Sequence, residues 1–550
     1  MSGLRRSVCL LAVVVWCACI SAAQRQRPQQ QQPPAPPAAT SPGQNAAPSP
    51  TPAAGEEKQG ETTVAKGTLP AAQEKEPPEE KPVVTHHEMR AGGKALRYTV
   101  TTGMMPIRDA AGKLEANIFY MAYTLDNPGP GKRPLTFSFN GGPGSSSVWL
   151  HLGAIGPKRV KMQNEGFMPS PPFELVDNEY TWLDQTDLVF IDPVGTGYSR
   201  AVSPEVGKKF WQVRGDIESV GEFIRMYLVR NQRWTSPLFI VGESYGTFRA
   251  AGLSGYLVDR GIALNGVLLI STILNYGTHD PARMNDMPYA LMLPSYTATA
   301  FYHKRLAPDL QQDLQKTLRQ AEAFAVGDYA AALAKGDLLS PEERAAAAEK
   351  LARFTGLDKQ YVDNSNLRVP LGMFLKELGR PERRSYGRLD SRFAGIDANA
   401  AGATPDFDPS LAAITPPYTS MFNNYVRSEL GYKSDKTYYI LGGGFSNWDF
   451  TKGFGRGEEG GQGYADTSEL LRSAFAKNPY MKLFVASGYY DMATPYFATE
   501  YTLSHLSLDP SAQKNITRRY YEAGHMMYIH TEMLARLRKD VGAFLDAALR

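Results

Sequence analysis

The chain has 550 residues, and 59 Lys and Arg against 56 Asp and Glu leave a net charge of +3 spread without long basic runs. This balance argues against nucleic acid or an anionic membrane as a partner, and the length predicts two or three folded units or one large domain with insertions. The only three cysteines, Cys9, Cys17 and Cys19, lie within the first 20 residues.

That first stretch, MSGLRRSVCLLAVVVWCACISAAQ, has an Arg5-Arg6 start, an apolar run to Ile20 and the small residues Ser21-Ala22-Ala23 before Gln24. Residues 1–23 therefore read as a secretory signal peptide. A retained membrane anchor is the alternative, although the apolar run is shorter than the roughly 20 residues a span needs. After cleavage the protein holds no thiol, so disulfides, a cysteine nucleophile and a cysteine-ligated metal are excluded. The expectation is an exported protein, periplasmic or extracellular, with no membrane span in the mature form. Residues 24–82 are rich in Pro, Gln, Ala, Glu and Lys with almost no large apolar side chains, so they are expected to form a disordered tether.

Globular patterning begins at Val83. ALRYTVTTG and ANIFYMAYTL alternate as strands, and PLTFSF, TDLVFID, PLFIVGES, GVLLIS and KLFVASG are short apolar runs of the kind buried in a parallel sheet. Helical stretches such as VRGDIESVGEFIRMYLVRN separate them. The fold class is thus α/β, with a central, mostly parallel sheet. Its two parts are predicted at 83–276 and 418–550, divided at 277–417 by a mostly helical insertion over the site.

PLFIVGESYGTFRAAG sets Gly242-Glu243-Ser244-Tyr245-Gly246 between a strand and a helix. This is the context of a G-x-S-x-G nucleophile elbow, where small residues flank the serine because the turn is tight. A serine hydroxyl needs a base, typically a histidine held by a carboxylate. Of the eight histidines, His505, His525 and His530 lie near the C-terminus. His505 and His530 fall in helix-like patterns, while His525 follows Gly524 in a loop. Asp491, just past the run LFVASGYY, precedes it in the order expected for such a triad. Ser244, Asp491 and His525 are therefore the catalytic candidates.

Acyl transfer also needs donors for the oxyanion. Tyr245 supplies one amide. FNGGPGSSS, Phe139 to Ser147, follows an early strand and suits the second, since no Lys follows its glycines as a phosphate-binding Walker loop would require. No H-E-x-x-H motif is present, and no metal site is expected.

NGGPGSSS, GAIGP at Gly153 to Pro157, NEYTWLDQTDLVFIDPVGTGYS at Asn178 to Ser199, GESYGT, GYYDMATP and GHMMY together resemble, in this order, the serine carboxypeptidases of family S10. The resemblance runs from Tyr98 to the C-terminus and is weakest in the insertion. It implies an α/β-hydrolase fold with helices on both faces of the sheet and a cap. It also implies hydrolysis of C-terminal residues from peptide substrates without metal or other cofactor. By motif match it makes Ser244 the nucleophile, with Asp491 and His525 completing the triad. Gly142 and Tyr245 become the oxyanion donors, and Asn140, Gly141 and Glu243 the groups that bind the substrate carboxylate. Ser138, Ser145 and Ala154 depart from the family's usual tryptophan, cysteine and glutamate. A related esterase or acyltransferase, or a noncatalytic peptide-binding protein, stays open as an alternative, and the oligomeric state is not legible.

Overall fold

Nine strands carry the fold in the computed structural model, which describes residues 79–127, 132–443, 447–451 and 463–550. The expected leader and most of the expected tether lie outside the described residues. The strands are β1 (Val83–Ala91), β2 (Lys94–Arg108), β3 (Leu114–Leu125), β4 (Leu135–Phe139), β5 (Asp187–Ile191), β6 (Leu238–Ser244), β7 (Gly266–Thr272), β8 (Lys482–Gly488) and β9 (Ile516–Tyr521). They lie in the order β1-β2-β3-β5-β4-β6-β7-β8-β9, and the short strand Arg200–Ala201 pairs with β3. Pairing is antiparallel from β1 to β5 and parallel from β5 to β9. The crossing of β5 over β4, followed by an unbroken parallel run, is the α/β-hydrolase topology, here with β1 added at one edge.

The apolar runs become central strands because both of their faces are covered. Phe190, Val241, Ile270 and Phe484 point to one layer, where they meet Ile414, Tyr418 and Phe422 of α6 (Pro409–Asn424) and Leu534, Leu537 and Val541 of α8 (Thr531–Ala548). Their neighbours Val189, Ile240, Leu269 and Val485 point to the other. There they pack on α1 (Val213–Arg230), α2 (Tyr245–Val258) and α7 (Ser468–Lys477) through Ile217, Phe223, Phe248, Leu253, Leu471 and Phe475. Each such side chain contributes about 1.5–3 kcal/mol on burial, so the strand period of two fixes both layers at once.

Between β7 and β8 the chain builds α3 (Met287–Tyr302), α4 (Leu314–Phe324) and α5 (Pro341–Thr355). The last shows why such a polar sequence is helical. Ser340 and Glu343 close a capping box, Pro341 opens the first turn, and Gly356 ends the helix in the left-handed region. These helices share a core of their own, including Leu293, Tyr296, Phe324 and Phe354, and Met492 from the loop after β8 inserts into it. Helix α6 runs through position 417 and packs on the sheet rather than on this core, so the expected boundary there falls inside one element. From Glu76 onward the chain is one unit. Among the described residues no helix is long and apolar enough to cross a membrane.

Candidate active site

Strand β6 ends and helix α2 begins at Ser244, whose backbone sits at φ 61°, ψ −132°. A non-glycine residue there costs about 1–3 kcal/mol and persists only where the surroundings enforce it. The flanking glycines show what enforces it. A Cβ on Gly242 would lie 2.1 Å from the Gly246 carbonyl oxygen, and one on Gly246 would lie 2.9 Å from the Phe139 carbonyl oxygen. The elbow thus folds on itself and against the end of β4, with no room for side chains on either side of the serine.

Asp491 follows β8 and is fully buried. Its Oδ1 accepts from the amides of Ala493 and Thr494 at 2.8 and 3.0 Å, and its Oδ2 accepts from the Thr494 hydroxyl at 2.7 Å. His525 Nδ1 lies 2.7 Å from the same Oδ2. That contact holds the ring with Nε2 free. Burial works to lower the His525 pKa, but the Asp491 carboxylate outweighs it and the net shift is upward. Ser244 and His525 line one cavity of about 160 Å³. His505 instead sits exposed at the end of the helix Tyr496–Ser504, with its Nδ1 2.7 Å from the Tyr501 carbonyl, and His530 caps α8.

The loops bearing Asp491 and His525 are tied together by a segment the sequence reading did not single out, Arg388 to Arg392. The Met492 amide donates to the Arg388 carbonyl at 3.1 Å, the His525 amide to the Leu389 carbonyl at 2.6 Å, and the Ser391 amide to the Tyr490 carbonyl at 3.0 Å. Asp390 accepts from the Gly524 amide at 3.1 Å and is gripped by the buried Arg392 guanidinium, with contacts of 2.6 to 3.2 Å. Motif spacing could not reveal this segment, because most of its contacts are made by backbone groups.

On the other side of Ser244 lies the glycine loop. Tyr245 is the first residue of α2, so its amide has no intrahelical acceptor. Among the described residues the Gly142 amide donates to no acceptor either. A Cβ on Gly141 would fall 2.4 Å from the Tyr245 nitrogen, so the two loops meet backbone to backbone beside the serine. Asn140 donates from Nδ2 to Glu243 Oε1 at 2.9 Å and accepts the Leu150 amide at 3.0 Å. Glu243 is 3% exposed, and its Oε2 has no hydrogen-bond partner. Burial pushes its carboxyl up to about 7, against the opposing pull of His525. An acid half-protonated near neutrality can donate a hydrogen bond to an anion.

Two supports for this loop also escaped the motifs. Arg249, 1% exposed, donates to the Asn140 carbonyl at 2.8 Å and to Asp216 at 2.8 Å, and its guanidinium lies over the rings of Phe139 and Tyr245. Ser145 to Ser147 are buried, where Ser145 Oγ accepts from Trp149 Nε1 at 2.8 Å and the Ser147 amide donates to Asp192 at 2.8 Å. They anchor the loop's far end.

Ser244 also lines a second, larger cavity of about 500 Å³, walled by Tyr276 and, from the inserted segment, by His279, Tyr289, Met292 and Tyr296. The smaller cavity holds Asn140, Gly141 and Glu243 beside the apolar Trp149, Leu411, Ile414 and Met526. A nucleophile candidate therefore stands between a roomy space and a tight one, with the buried Glu243 in the latter.

Residues 94–363 match the family described as serine carboxypeptidase. Among curated proteins, serine carboxypeptidase-like 13 of Arabidopsis thaliana is 31% identical over 153 residues, 27% of this chain and 33% of the relative. The pheromone-processing carboxypeptidase KEX1 of Saccharomyces cerevisiae is 32% identical over 158 residues, 26% of this chain and 20% of the relative. The chain spans about a third of the length of the plant relatives it matches. Among solved structures, the yeast prohormone-processing carboxypeptidase KEX1 aligns with a TM-score of 0.49 at 16% identity, covering 82% of this chain and 91% of the other. On the family match and these curated relatives, residues 94–363 are those of the serine carboxypeptidases, peptidase family S10.

Proposed function

We propose that this protein is a serine-type carboxypeptidase that releases single residues from peptide C-termini through an acyl-enzyme. Ser244 Oγ attacks the carbonyl carbon of the last peptide bond, and His525 Nε2 takes its proton. Asp491 holds the imidazole in the tautomer that leaves Nε2 free and stabilises its charged form. The Gly142 and Tyr245 amides receive the developing oxyanion, a contribution of about 3 kcal/mol per donor in comparable sites. His525 then gives its proton to the departing amine, and water completes the cycle in the same sequence.

The observation that carries this reading is Glu243. A buried carboxyl beside the nucleophile, bonded to Asn140 and with one oxygen unpartnered, is a poor neighbour for most substrates. For a C-terminal carboxylate it is a good one, provided it is protonated. Asn140, the Gly141 amide and Glu243 then bind that carboxylate in the smaller cavity, which has room for about one residue. The remaining acyl portion lies in the larger cavity under the insertion 277–417, which we read as a cap.

Glu243 and His525 act on each other electrostatically, so they titrate as a pair. The working form carries one proton between them, on Glu243, with His525 neutral. Peptide hydrolysis accordingly falls as pH rises through about 7. We further propose that the chain is exported on the strength of its leader-like residues 1–23.

The test is mass-spectrometric sequencing of products from a mixed peptide pool at pH 5 and pH 7. The expected outcome is ladders shortened one residue at a time from the C-terminus, present in the unsubstituted protein and absent with Ser244→Ala. Internal cleavage, or no cleavage by a protein that a fluorophosphonate still labels, contradicts the carboxypeptidase reading. Ester hydrolysis or transfer to added alcohols in the second case points to the related esterase or acyltransferase.

A further inference from the structure

Leu389 of the tying segment lines the smaller cavity, and Arg388 reaches further. It lines both the smaller and the larger one, as do Gly142 and Ser244, so it stands at the junction where the scissile bond would lie. Its backbone is fixed, with the amide donating to Asp408 at 3.1 Å and the carbonyl accepting from Met492 at 3.1 Å. Its side chain is exposed and makes no ion pair with a described residue.

The neighbouring acids do not satisfy it. The Asp408 carboxylate is already committed to the amides of Arg388, Leu389, Ser410 and Leu411 and to the Ser410 hydroxyl. Asp280 lines the larger cavity and feels the charge of Arg388, but it forms no ion pair with it. Tyr276 and His279, on the same wall, feel that charge too. A guanidinium placed this way presents a fork of donors to the larger cavity, and the side chain of matching geometry is a carboxylate.

We infer that Arg388 sets substrate preference by receiving the acidic side chain of a penultimate Asp or Glu in the larger cavity. The inference rests on the carboxypeptidase reading above, which places the acyl portion there. It differs in kind from the role of Asn140, Gly141 and Glu243, which meet the main-chain carboxylate of the final residue. The smaller cavity is a poorer receptor for an acidic side chain, because Trp149, Leu411, Ile414 and Met526 form much of its wall.

The test uses N-blocked dipeptides with a C-terminal leucine and a penultimate glutamate, glutamine or leucine, assayed with the full chain at one pH. The readout is the glutamate-to-glutamine ratio of kcat/KM within each protein, which cancels any change of rate common to both substrates. The unsubstituted protein favours glutamate by about tenfold, Arg388→Gln brings the ratio to about one, and Arg388→Lys keeps part of the preference. A ratio near one in the unsubstituted protein, or a preference that survives Arg388→Gln, overturns the inference. Failure to release leucine from the uncharged substrate instead overturns the carboxypeptidase reading, and the inference with it, so the two failures are told apart by which substrate goes uncleaved.

Discussion

The two sides of Ser244 are built in different ways. The glycine loop and elbow, with Asn140 to Gly142 and Glu243 to Gly246, grow directly from the ends of β4 and β6 and are held by backbone pressed on backbone. Asp491 and His525 sit on longer loops after β8 and β9, held by a strand of chain that arrives from the insertion. On the proposed reading, the binding and oxyanion groups thus take their precision from the sheet, while the proton-handling pair takes it from the segment 388–392. The insertion therefore reaches the candidate site, since the same stretch that ties the Asp491 and His525 loops also lines both cavities.

The sheet-borne side is the more sensitive to a single change. Arg249→Met leaves Asp216 buried without its partner and removes the donor to the Asn140 carbonyl, which costs about 3–5 kcal/mol of stability and appears as a lower midpoint in urea unfolding. Adding Asp216→Leu recovers most of that loss, because a buried ion pair replaced by apolar groups is often neutral. Activity stays low in the double variant, since Asn140 has still lost its anchor. Full recovery of activity together with stability would show that the Asn140 contact is not what positions the loop.

On the loop-borne side the expected effect is smaller and falls on turnover. Asp390→Ala removes the acceptor of the Gly524 amide, next to His525, and leaves Arg392 unpaired. Displacing a catalytic group by about 1 Å costs on the order of 100-fold, so kcat drops by about 10- to 100-fold while KM changes little. Asp390→Asn, which keeps an oxygen for that amide, recovers part of kcat. Equal losses in kcat with Ala and Asn, or a loss confined to KM, would place Asp390 among ordinary stabilising residues.

The contrast also decides what the sequence could reveal. Five central strands announce themselves because burial on both faces demands unbroken apolar runs, and the elbow and glycine loop announce themselves because their geometry demands glycine. Strand β9 does not, since ITRRYY is largely polar and lies at the sheet edge. Nor does the Arg249–Asp216 pair, whose partners are joined only when α1 and α2 pack. The segment 388–392 is the least legible of all, because backbone carbonyls carry no sequence signature. The roles of Ser145 to Ser147 carry no sequence signal for a related reason, their partners Asp192 and Trp149 being set by the fold.

The central claim, that protonated Glu243 receives the substrate carboxylate, is tested most directly by pH profiles of kcat/KM for a peptide and for an ester blocked at its carboxylate. Burial pushes the Glu243 carboxyl up to about 7, so below that pH the group donates and above it repels. The account predicts that peptide cleavage by the unsubstituted protein falls as pH rises through about 7 while ester cleavage does not. With Glu243→Gln, whose amide donates at every pH, that fall disappears and the acid limb moves to lower pH, because Glu243 no longer raises His525. A peptide profile that falls at the same pH in both proteins would contradict it.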